Sequence, residues 1–236
     1  MSIAENVAKI RAKINAAAIA CGRDPKEILL CAATKMNDAD NVRQAIAAGV
    51  DCCGENRVQE LTAKLAEHAY DGAPVHYIGH LQTNKVKLVV GKVDLIQSVD
   101  SLRLLEAIQK EAAKQEIVQN ILLEVNVAAE ESKSGFSVPQ IYEILDRLTD
   151  FPNVCFQGFM AIPPICHESG ENDKFFQEMY NLSVDITAKK DDNIRVRFLS
   201  MGMSNDYEDA IRCGSTMIRV GTAIFGARDY SKSHQS

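Results

Sequence analysis

One lysine of this sequence stands where an amine can do chemistry. Lys35 closes the apolar segment Ile28–Thr34, so a strand ending there would hold the ammonium group over an apolar interior. Desolvation disfavours the charged ammonium, and a neutral amine can attack a carbonyl carbon to form an imine. In the alternative interpretation, the stem of the side chain lies along apolar surface and the ammonium reaches solvent. The residues that surround Lys35 must decide between the two.

Two glycine-containing segments near the carboxyl end have the composition of a phosphate site. Ser200–Ser204 reads Ser-Met-Gly-Met-Ser and precedes a predicted helix, and Arg219–Thr222 reads Arg-Val-Gly-Thr. Glycines let backbone N–H groups approach a ligand closely, hydroxyls add donors, and a helix N-terminus adds a partial positive charge. Either segment alone is also typical of an ordinary turn. Together with Lys35 they indicate a phosphorylated carbonyl compound held as a Schiff base, either pyridoxal 5′-phosphate (PLP) or a sugar-phosphate aldehyde.

Eight short apolar segments, separated by amphipathic ones, must position these residues. The segments are too short for helices and mostly apolar rather than alternating, which is typical of parallel strands covered on both faces. A helix precedes them, because Ser2 and Glu5 have capping-box spacing and apolar residues then recur at helical period. The predicted strands are Ile28–Thr34, Cys52–Gly54, His76–Gly79, Leu95–Val99, Ile121–Val127, Cys155–Ile162, Arg197–Met201 and Met217–Phe225.

This order of elements predicts an α/β fold, a single (β/α)₈ barrel of the TIM type with an extra N-terminal helix. The barrel would occupy about residues 28–226 of one PLP-binding domain that spans residues 1–236. A doubly wound open sheet is the alternative, but no G-x-G-x-x-G follows the first strand, as a nucleotide-binding Rossmann unit would require. In TIM-type barrels the loops after strands 7 and 8 frequently bind phosphate, and both glycine segments fall there.

The charge balance and the cysteine pattern limit the binding partners and the cellular compartment that we expect for this protein. Lys and Arg number 26 against 32 Asp and Glu, which gives a net charge of −6, so neither nucleic acid nor a polybasic membrane contact is expected. No segment approaches the roughly 18 apolar residues of a membrane span, and Met1–Arg11 lacks the features of a signal peptide. The seven cysteines form no repeated C-x-x-C pairs, which indicates free thiols in a reducing cytoplasm. We expect a cytoplasmic protein, and a monomer because a closed barrel has no sheet edge.

Several motifs together carry a family resemblance. They are Ala33–Lys35, Gly54–Glu60, His76–Lys85, Glu131–Gly135, Gly158–Met160, Leu199–Ser204 and Arg219–Gly226. The segments I-G-H-L-Q-T-N-K and L-S-M-G-M-S are highly specific in combination. Over essentially residues 1–230, the sequence resembles the YggS/PROSC family of pyridoxal phosphate homeostasis proteins.

The resemblance implies a barrel similar to the N-terminal domain of bacterial alanine racemase, with PLP carried on Lys35 as a Schiff base. It also implies that Arg219 lies near the pyridine nitrogen, that Asn56 lies beside the cofactor, and that the two glycine segments contact the phosphate. The residues expected to bind the cofactor are Lys35, Asn56, Ser200, Met201, Gly202, Arg219, Gly221 and Thr222.

His80 and Lys133 are candidates for an auxiliary role. Many bacterial members of the family carry a second lysine where this chain has Asn37, so Lys133 is the remaining candidate for an auxiliary amine. No metal site is predicted. His76 and His80 are four residues apart on a strand and its following turn, and the adjacent cysteines of Cys52–Cys53 would point to opposite faces of a strand.

The predicted function is to hold PLP, buffer it and deliver it, as part of vitamin B6 and amino- and keto-acid homeostasis. Apo PLP-dependent enzymes are candidate transient partners, and the sequence leaves open whether transfer to them requires contact. We expect no catalytic residue, because an arginine at the pyridine nitrogen stays cationic and makes the ring a poor electron sink. The predicted barrel also uses nearly the whole chain, whereas alanine racemase takes its second base from an extra domain and a partner subunit. The alternatives are a slow PLP-dependent amino-acid racemase or lyase with Lys35 as base, and a PLP-free Schiff-base aldolase.

Overall fold

The computed structural model describes residues 1–128, 130, 134–189 and 196–226. Eight parallel strands form a closed barrel and follow one another around it in chain order. They are β1 Leu29–Ala33, β2 Cys52–Glu55, β3 Val75–Tyr77, β4 Leu95–Val99, β5 Gln119–Val125, β6 Val154–Ala161, β7 Phe198–Ser200 and β8 Met217–Val220. β1 pairs with both β2 and β8, which closes the barrel. The predicted (β/α)₈ architecture is confirmed.

Helices cover the outside of the barrel. They are α1 Ile3–Ala20, α2 Ala39–Ala47, α3 Val58–Ala66, α4 Leu102–Lys114, α5 Val138–Leu145, α6 Asp173–Ala188, α7 Tyr207–Arg212 and α8 Thr222–Phe225. Short 3₁₀ helices add Pro25–Glu27, Thr83–Leu88 and Leu148–Asp150. The crossover between β3 and β4 uses the 3₁₀ helix Thr83–Leu88 in place of an α-helix. Within the described residues, none of these helices is long and apolar enough to cross a membrane.

The extra N-terminal helix α1 begins at the predicted capping box. Ser2 Oγ accepts the N–H of Glu5 at 3.2 Å, and Glu5 Oε2 accepts the N–H of Ser2 at 2.7 Å. The buried face of α1 packs against α2, α7 and α8. The Asn6 amide donates to the carbonyl of Ile224 in α8 at 2.8 Å. α1 therefore supports the short helix that follows the last strand.

The N-cap of α4 is Ser101, whose hydroxyl accepts the N–H of Leu104 at 3.3 Å. One local expectation differs from the structure. The last apolar segment, 217–225, is not one strand. It divides at Gly221 into β8 and α8, because the chain turns there and its remaining apolar residues pack as a helix.

The core has two layers. The larger layer lies between the strands and the helices and includes Leu30, Cys53 and Phe159. A smaller cluster fills the barrel interior and consists of Cys31, Cys52, Leu95, Leu122, Met160 and Met217. Adjacent residues of a strand point to opposite faces, which agrees with Cys52 in the interior layer and Cys53 in the outer one.

We expect Gly158→Ala to destabilise the barrel strongly. Gly158 in β6 has φ 132°, and an added Cβ would lie 2.0 Å from the carbonyl oxygen of Phe198 in β7. The combined clash and backbone strain should lower the free energy of unfolding by about 2–4 kcal/mol, measured by urea unfolding. Gly49→Ala is the control, because Gly49 has φ 93° but an added Cβ meets nothing within 4 Å. Its cost should stay near 1 kcal/mol, and equal losses for the two variants would contradict the packing described here.

Candidate functional site

A cavity of about 820 Å³ opens at the carboxyl ends of β1, β7 and β8. Four of the predicted cofactor residues line it, namely Lys35, Arg219, Gly221 and Thr222. Lys35 follows β1, Arg219 belongs to β8, and Gly221–Thr222 begin α8. The closed barrel places β1 and β8 side by side. Lys35 and Arg219 therefore line one cavity although they are far apart in the sequence.

Asn56, Ser200, Met201 and Gly202 are not part of the cavity lining. Ser200 and Met201 are fully buried. Gly202 has φ 94°, and an added Cβ there would lie 2.6 Å from the Cβ of Ala210, so glycine is needed for the turn to pack on α7. Lys133 lies outside the described residues. His80 is 61% exposed in its side chain and pairs with Asp100, away from the cavity lining.

Some lining residues were not among the individual cofactor-binding residues predicted from the sequence. Met203, Ser204 and Asn205 line the cavity after β7, and Asn37 lines it next to Lys35. Met203 and Ser204 belong to the S-M-G-M-S motif, so that motif carried the signal for them. The Asn37 amide donates to the carbonyl of Lys35 at 3.0 Å. Asn37 therefore contacts the backbone of Lys35 directly.

The residue before Lys35 is held firmly. The buried Thr34 donates its N–H to the carbonyl of Gly54 at 2.8 Å and its hydroxyl to Glu55 Oε2 at 3.1 Å. Its own carbonyl accepts from Lys64 Nζ at 2.7 Å. Every polar group of Thr34 is thus used to tie the end of β1 to β2 and α3.

These bonds converge on a buried group that we call the ion cluster, formed by Glu55, Glu60 and Lys64. Lys64 Nζ lies 2.6 Å from Glu55 Oε2, and the two side chains are only 6% and 0% exposed. Lys64 Nζ also lies 3.3 Å from Glu60 Oε2, and that oxygen accepts the N–H of Met36 at 2.6 Å. Met36 has φ 61°, an uncommon conformation for a residue with a side chain. The ion cluster therefore fixes the residues on both sides of Lys35.

Glu55 also organises the end of β2. Its Oε1 accepts the N–H of Asn56 at 2.7 Å, and its Oε2 accepts the hydroxyl of Tyr70 at 3.2 Å. Burial, followed by the negative charge of Glu55, raises the pKa of Tyr70, which keeps that hydroxyl protonated as a donor. The Oδ1 of Asn56 is buried and has no hydrogen-bond partner among the described residues. Buried polar atoms are nearly always paired in folded proteins, so this amide stands out as a potential ligand contact.

Arg219 lies at the floor of the cavity and is only 5% exposed. Its Nη1 donates to Ser200 Oγ at 2.5 Å and its Nη2 to the carbonyl of Ala161 at 2.9 Å. The hydroxyl of Ser200 in turn donates to Gln97 Oε1 at 2.7 Å. Burial lowers the pKa of Arg219, but guanidinium groups in proteins remain charged. A fixed cation therefore faces the cavity from inside the barrel.

Glu124 in β5 adds a titratable carboxyl near the barrel mouth. Burial, followed by the negative charge of Asp100, raises the pKa of Glu124 to about 7. Arg219 and His80 act in the opposite direction and lower it. The carboxyl is therefore protonated in acid and partly ionised near neutral pH.

Lys64→Met should be far more damaging than loss of an exposed lysine. Without its cation, Glu55 would stay buried as an unpaired charge, at a cost of about 3–5 kcal/mol in the free energy of unfolding. Lys13→Met is the matched control, because Lys13 Nζ lies 2.7 Å from Glu208 Oε1 in a pair that is 50% and 42% exposed. That variant should lose under about 1 kcal/mol. Similar losses in urea unfolding of the two variants would refute the importance of the buried pair.

A pH-dependent comparison tests the environment of Glu124. A carboxyl whose pKa is raised by folding binds more protons in the folded state, so its contribution to stability falls as pH rises from about 4.5 to about 7. Glu124→Gln should therefore stabilise the protein relative to wild type at pH 8, on the order of 1–3 kcal/mol, and do so much less at pH 5. Urea unfolding at both pH values measures the difference. A difference between the two proteins that does not change with pH would contradict this assignment.

The fold and the cavity define a class of protein, the parallel (β/α)₈ barrel with a lysine at the end of its first strand and a cavity rimmed by the loops after its last two. Residues 2–229 match the family described as alanine racemase, N-terminal domain, and the chain belongs to this family. Its relatives include the pyridoxal phosphate homeostasis protein of Escherichia coli (strain K12), which is 39% identical over 233 residues that cover 98% of each chain. The resemblance seen in the sequence is confirmed.

Solved structures agree with this assignment. An unknown protein from Bifidobacterium adolescentis is 39% identical, with a TM-score of 0.87 over 94% of each chain. PipY of Synechococcus elongatus PCC7942, solved with PLP bound, is 32% identical with a TM-score of 0.82. The match covers 95% of this chain and 100% of PipY.

Proposed function

We propose that this protein binds PLP covalently at Lys35, and that it buffers and delivers the cofactor without rapid catalysis. The observation that carries the proposal is the convergence of Lys35, Arg219 and Gly221–Thr222 on one cavity. Support comes from the relative named as a pyridoxal phosphate homeostasis protein and from PipY with PLP bound.

The residues present fit PLP in size and chemistry. A volume of about 820 Å³ falls within the range of cofactor and small-molecule sites, about 300–1,000 Å³. The buried Oδ1 of Asn56, which lacks a partner among the described residues, is a further polar group available to a ligand at the β2 end. The cavity thus combines an amine, a cation and hydroxyl and backbone donors around one space.

Lys35 is the residue that would form the covalent bond. When bound, PLP supplies an aldehyde whose carbon is attacked by a neutral amine with loss of water. The chain contributes a fixed position for that amine, because Thr34, Met36 and Asn37 all hold the backbone around it. A rigid backbone leaves only the lysine side chain to reorder on binding, which reduces the entropic cost of capture.

Arg219 is proposed to face the pyridine nitrogen and so to limit catalysis. Its guanidinium donates hydrogen bonds to Ser200 and Ala161 and carries no proton that it readily gives up. Beside such a cation the ring nitrogen would stay largely unprotonated, and the cofactor would then supply only weak electron withdrawal. The site is therefore suited to holding the cofactor and poorly suited to turnover.

The phosphate is proposed to lie against the start of α8 and the loop after β7. Gly221 packs closely on the end of β1, since an added Cβ would lie 3.3 Å from the carbonyl oxygen of Ala33. Thr222, which follows Gly221, lines the same cavity as Lys35 and Ser204. The first N–H groups of a helix have no partner within it, so backbone donors are available there.

The proposal also covers the oligomeric state, the compartment and the partners of the protein. We propose a monomer in the cytoplasm that passes PLP to apo-enzymes by transient contact. The closed barrel leaves no strand edge for pairing, and all seven cysteines are free thiols, as a reducing compartment favours. His80 and Lys133 stay candidates for auxiliary roles in loading or release.

Lys35→Ala should abolish covalent PLP binding. Wild-type protein incubated with PLP should show a yellow imine absorbance that borohydride fixes to the chain, because the amine and aldehyde are joined. Lys87→Ala is the matched control, since Lys87 is exposed and lies outside the cavity. It should bind PLP like wild type, whereas Lys35→Ala should bind at least tenfold more weakly and retain no label. Wild-type protein that stays colourless with added PLP would overturn the proposal.

Incubation with amino acids separates a carrier from an enzyme. PLP-loaded protein is mixed with a panel of L-amino acids, and D-isomer and keto acid are followed by chiral chromatography. The proposal predicts turnover well below the roughly 1 s⁻¹ at which ordinary enzymes begin. Turnover at or above that rate with any member of the panel would favour the racemase or lyase instead.

A further inference from the structure

Three metal-ligating side chains meet inside the barrel, below the floor of the cavity. Cys31 of β1, Cys52 of β2 and His76 of β3 each offer one ligand atom, and these atoms all lie within 4.8 Å of one another. All three residues are buried. The proposed binding of PLP uses none of them.

The barrel geometry explains why these residues meet. Cys31 is the register partner of Cys52 on one side and of Arg219 on the other, so the side chains of this level share the barrel interior. Gly54 is the next inward position of β2, and an added Cβ there would lie 2.8 Å from the Sγ of Cys31. Glycine at this position therefore leaves room for the Cys31 thiol.

The surroundings favour a negative charge on one sulfur. Hydrogen bonds from Cys52 and from His76, together with the positive charge of Arg219, lower the pKa of Cys31 despite its burial. The pKa of Cys52 is raised, first by its hydrogen bond to Cys31 and then by burial. Two sulfurs and one imidazole thus lie against one another in the barrel interior.

We infer that Cys31, Cys52 and His76 form a binding site for a thiophilic d¹⁰ metal ion, Zn²⁺ or Cu⁺. Two thiolates and one imidazole are a soft donor set that selects these ions over Mg²⁺ or Ca²⁺. With metal–sulfur bonds of about 2.3 Å and metal–nitrogen bonds of about 2.0 Å, ligand atoms in a tetrahedral site lie about 3.5–3.8 Å apart. The ligand atoms of Cys31, Cys52 and His76 lie within 4.8 Å of one another. Each side chain would therefore move by no more than about 1 Å to reach the tetrahedral spacing.

Gln97 would serve as the outer contact of the histidine. Its Nε2 lies 2.9 Å from His76 Nδ1 and 3.1 Å from Met217 Sδ, so Nδ1 of His76 is engaged by Gln97 and Nε2 is the nitrogen proposed to bind the metal. Histidines that bind metals donate their other N–H to an oxygen, so metal binding requires the Gln97 amide to turn and accept that proton with Oε1. Met217 then supplies a thioether at the edge of the site, a ligand that suits Cu⁺.

Burial determines how the ion would enter. Cys31, Cys52 and His76 are 0%, 2% and 6% exposed, so loading is expected while the chain folds rather than by diffusion into the finished barrel. An ion bound this way adds its binding free energy to folding and releases thiol protons. None of Cys31, Cys52 and His76 lines the cavity, so metal retention and PLP binding can be measured separately.

The test measures retained metal after refolding. Full-length protein is unfolded and refolded under reducing conditions with Zn²⁺, with Cu⁺ or with Mg²⁺, passed through a desalting column and analysed by elemental mass spectrometry. We expect about one Zn²⁺ or one Cu⁺ per chain, little Mg²⁺, and a raised Tm in the loaded protein. The double variant Cys31→Ser/Cys52→Ser should retain at least tenfold less, whereas Cys53→Ser, the adjacent cysteine on the outer face, should retain the wild-type amount.

Refolding with Co²⁺ tests the donor set without a variant, in case the double variant fails to fold. Wild-type protein should show an intense near-ultraviolet band from thiolate-to-cobalt charge transfer, with the intensity of two thiolates. Wild-type protein that retains neither Zn²⁺ nor Cu⁺ would overturn the inference. Equal retention by the double variant would overturn it too, as would a Cys31–Cys52 disulfide in place of bound metal.

Discussion

The position of Lys35 depends on a buried ion pair on the outer face of the strands that end beside it. Lys64 and Glu55 lie 2.6 Å apart, almost fully excluded from solvent, and together with Glu60 they hold the backbone of Thr34 and Met36. A buried charge pair is costly to leave incomplete, so this cluster gives the ends of β1 and β2 one stable arrangement. The amine of Lys35 is thereby presented at the cavity by a rigid support rather than by a loose loop.

Inside the barrel, a second polar path joins the cavity to the cysteine–histidine cluster. Arg219 contacts Ser200, Ser200 contacts Gln97, and Gln97 contacts His76. The predicted phosphate ligand Ser200 therefore has its hydroxyl engaged within the barrel, where it orients Arg219. A metal ion among Cys31, Cys52 and His76 would lie at the far end of this path. The proposed PLP site and the proposed metal site are thus connected through the same side chains, but each is tested by its own binding measurement.

Much of the fold and part of the site could be predicted from the sequence. The eight strands and the α1 capping box follow from apolar runs and local spacing, and Lys35, Arg219 and Thr222 follow from their positions at strand ends. The ion cluster could not be predicted, because Lys64 lies two residues before the end of helix α3 and reads as an ordinary surface lysine until its depth is known. The meeting of Cys31 and Cys52 also required strand register, which spacing does not determine.

The central claim is that one lysine carries the cofactor, and peptide mapping tests it most directly. Wild-type protein is mixed with PLP, reduced with borohydride, digested and analysed by tandem mass spectrometry. The account predicts about one pyridoxyl group per chain, located on Lys35. A label spread over exposed lysines such as Lys87, or located on a single lysine other than Lys35, would contradict it.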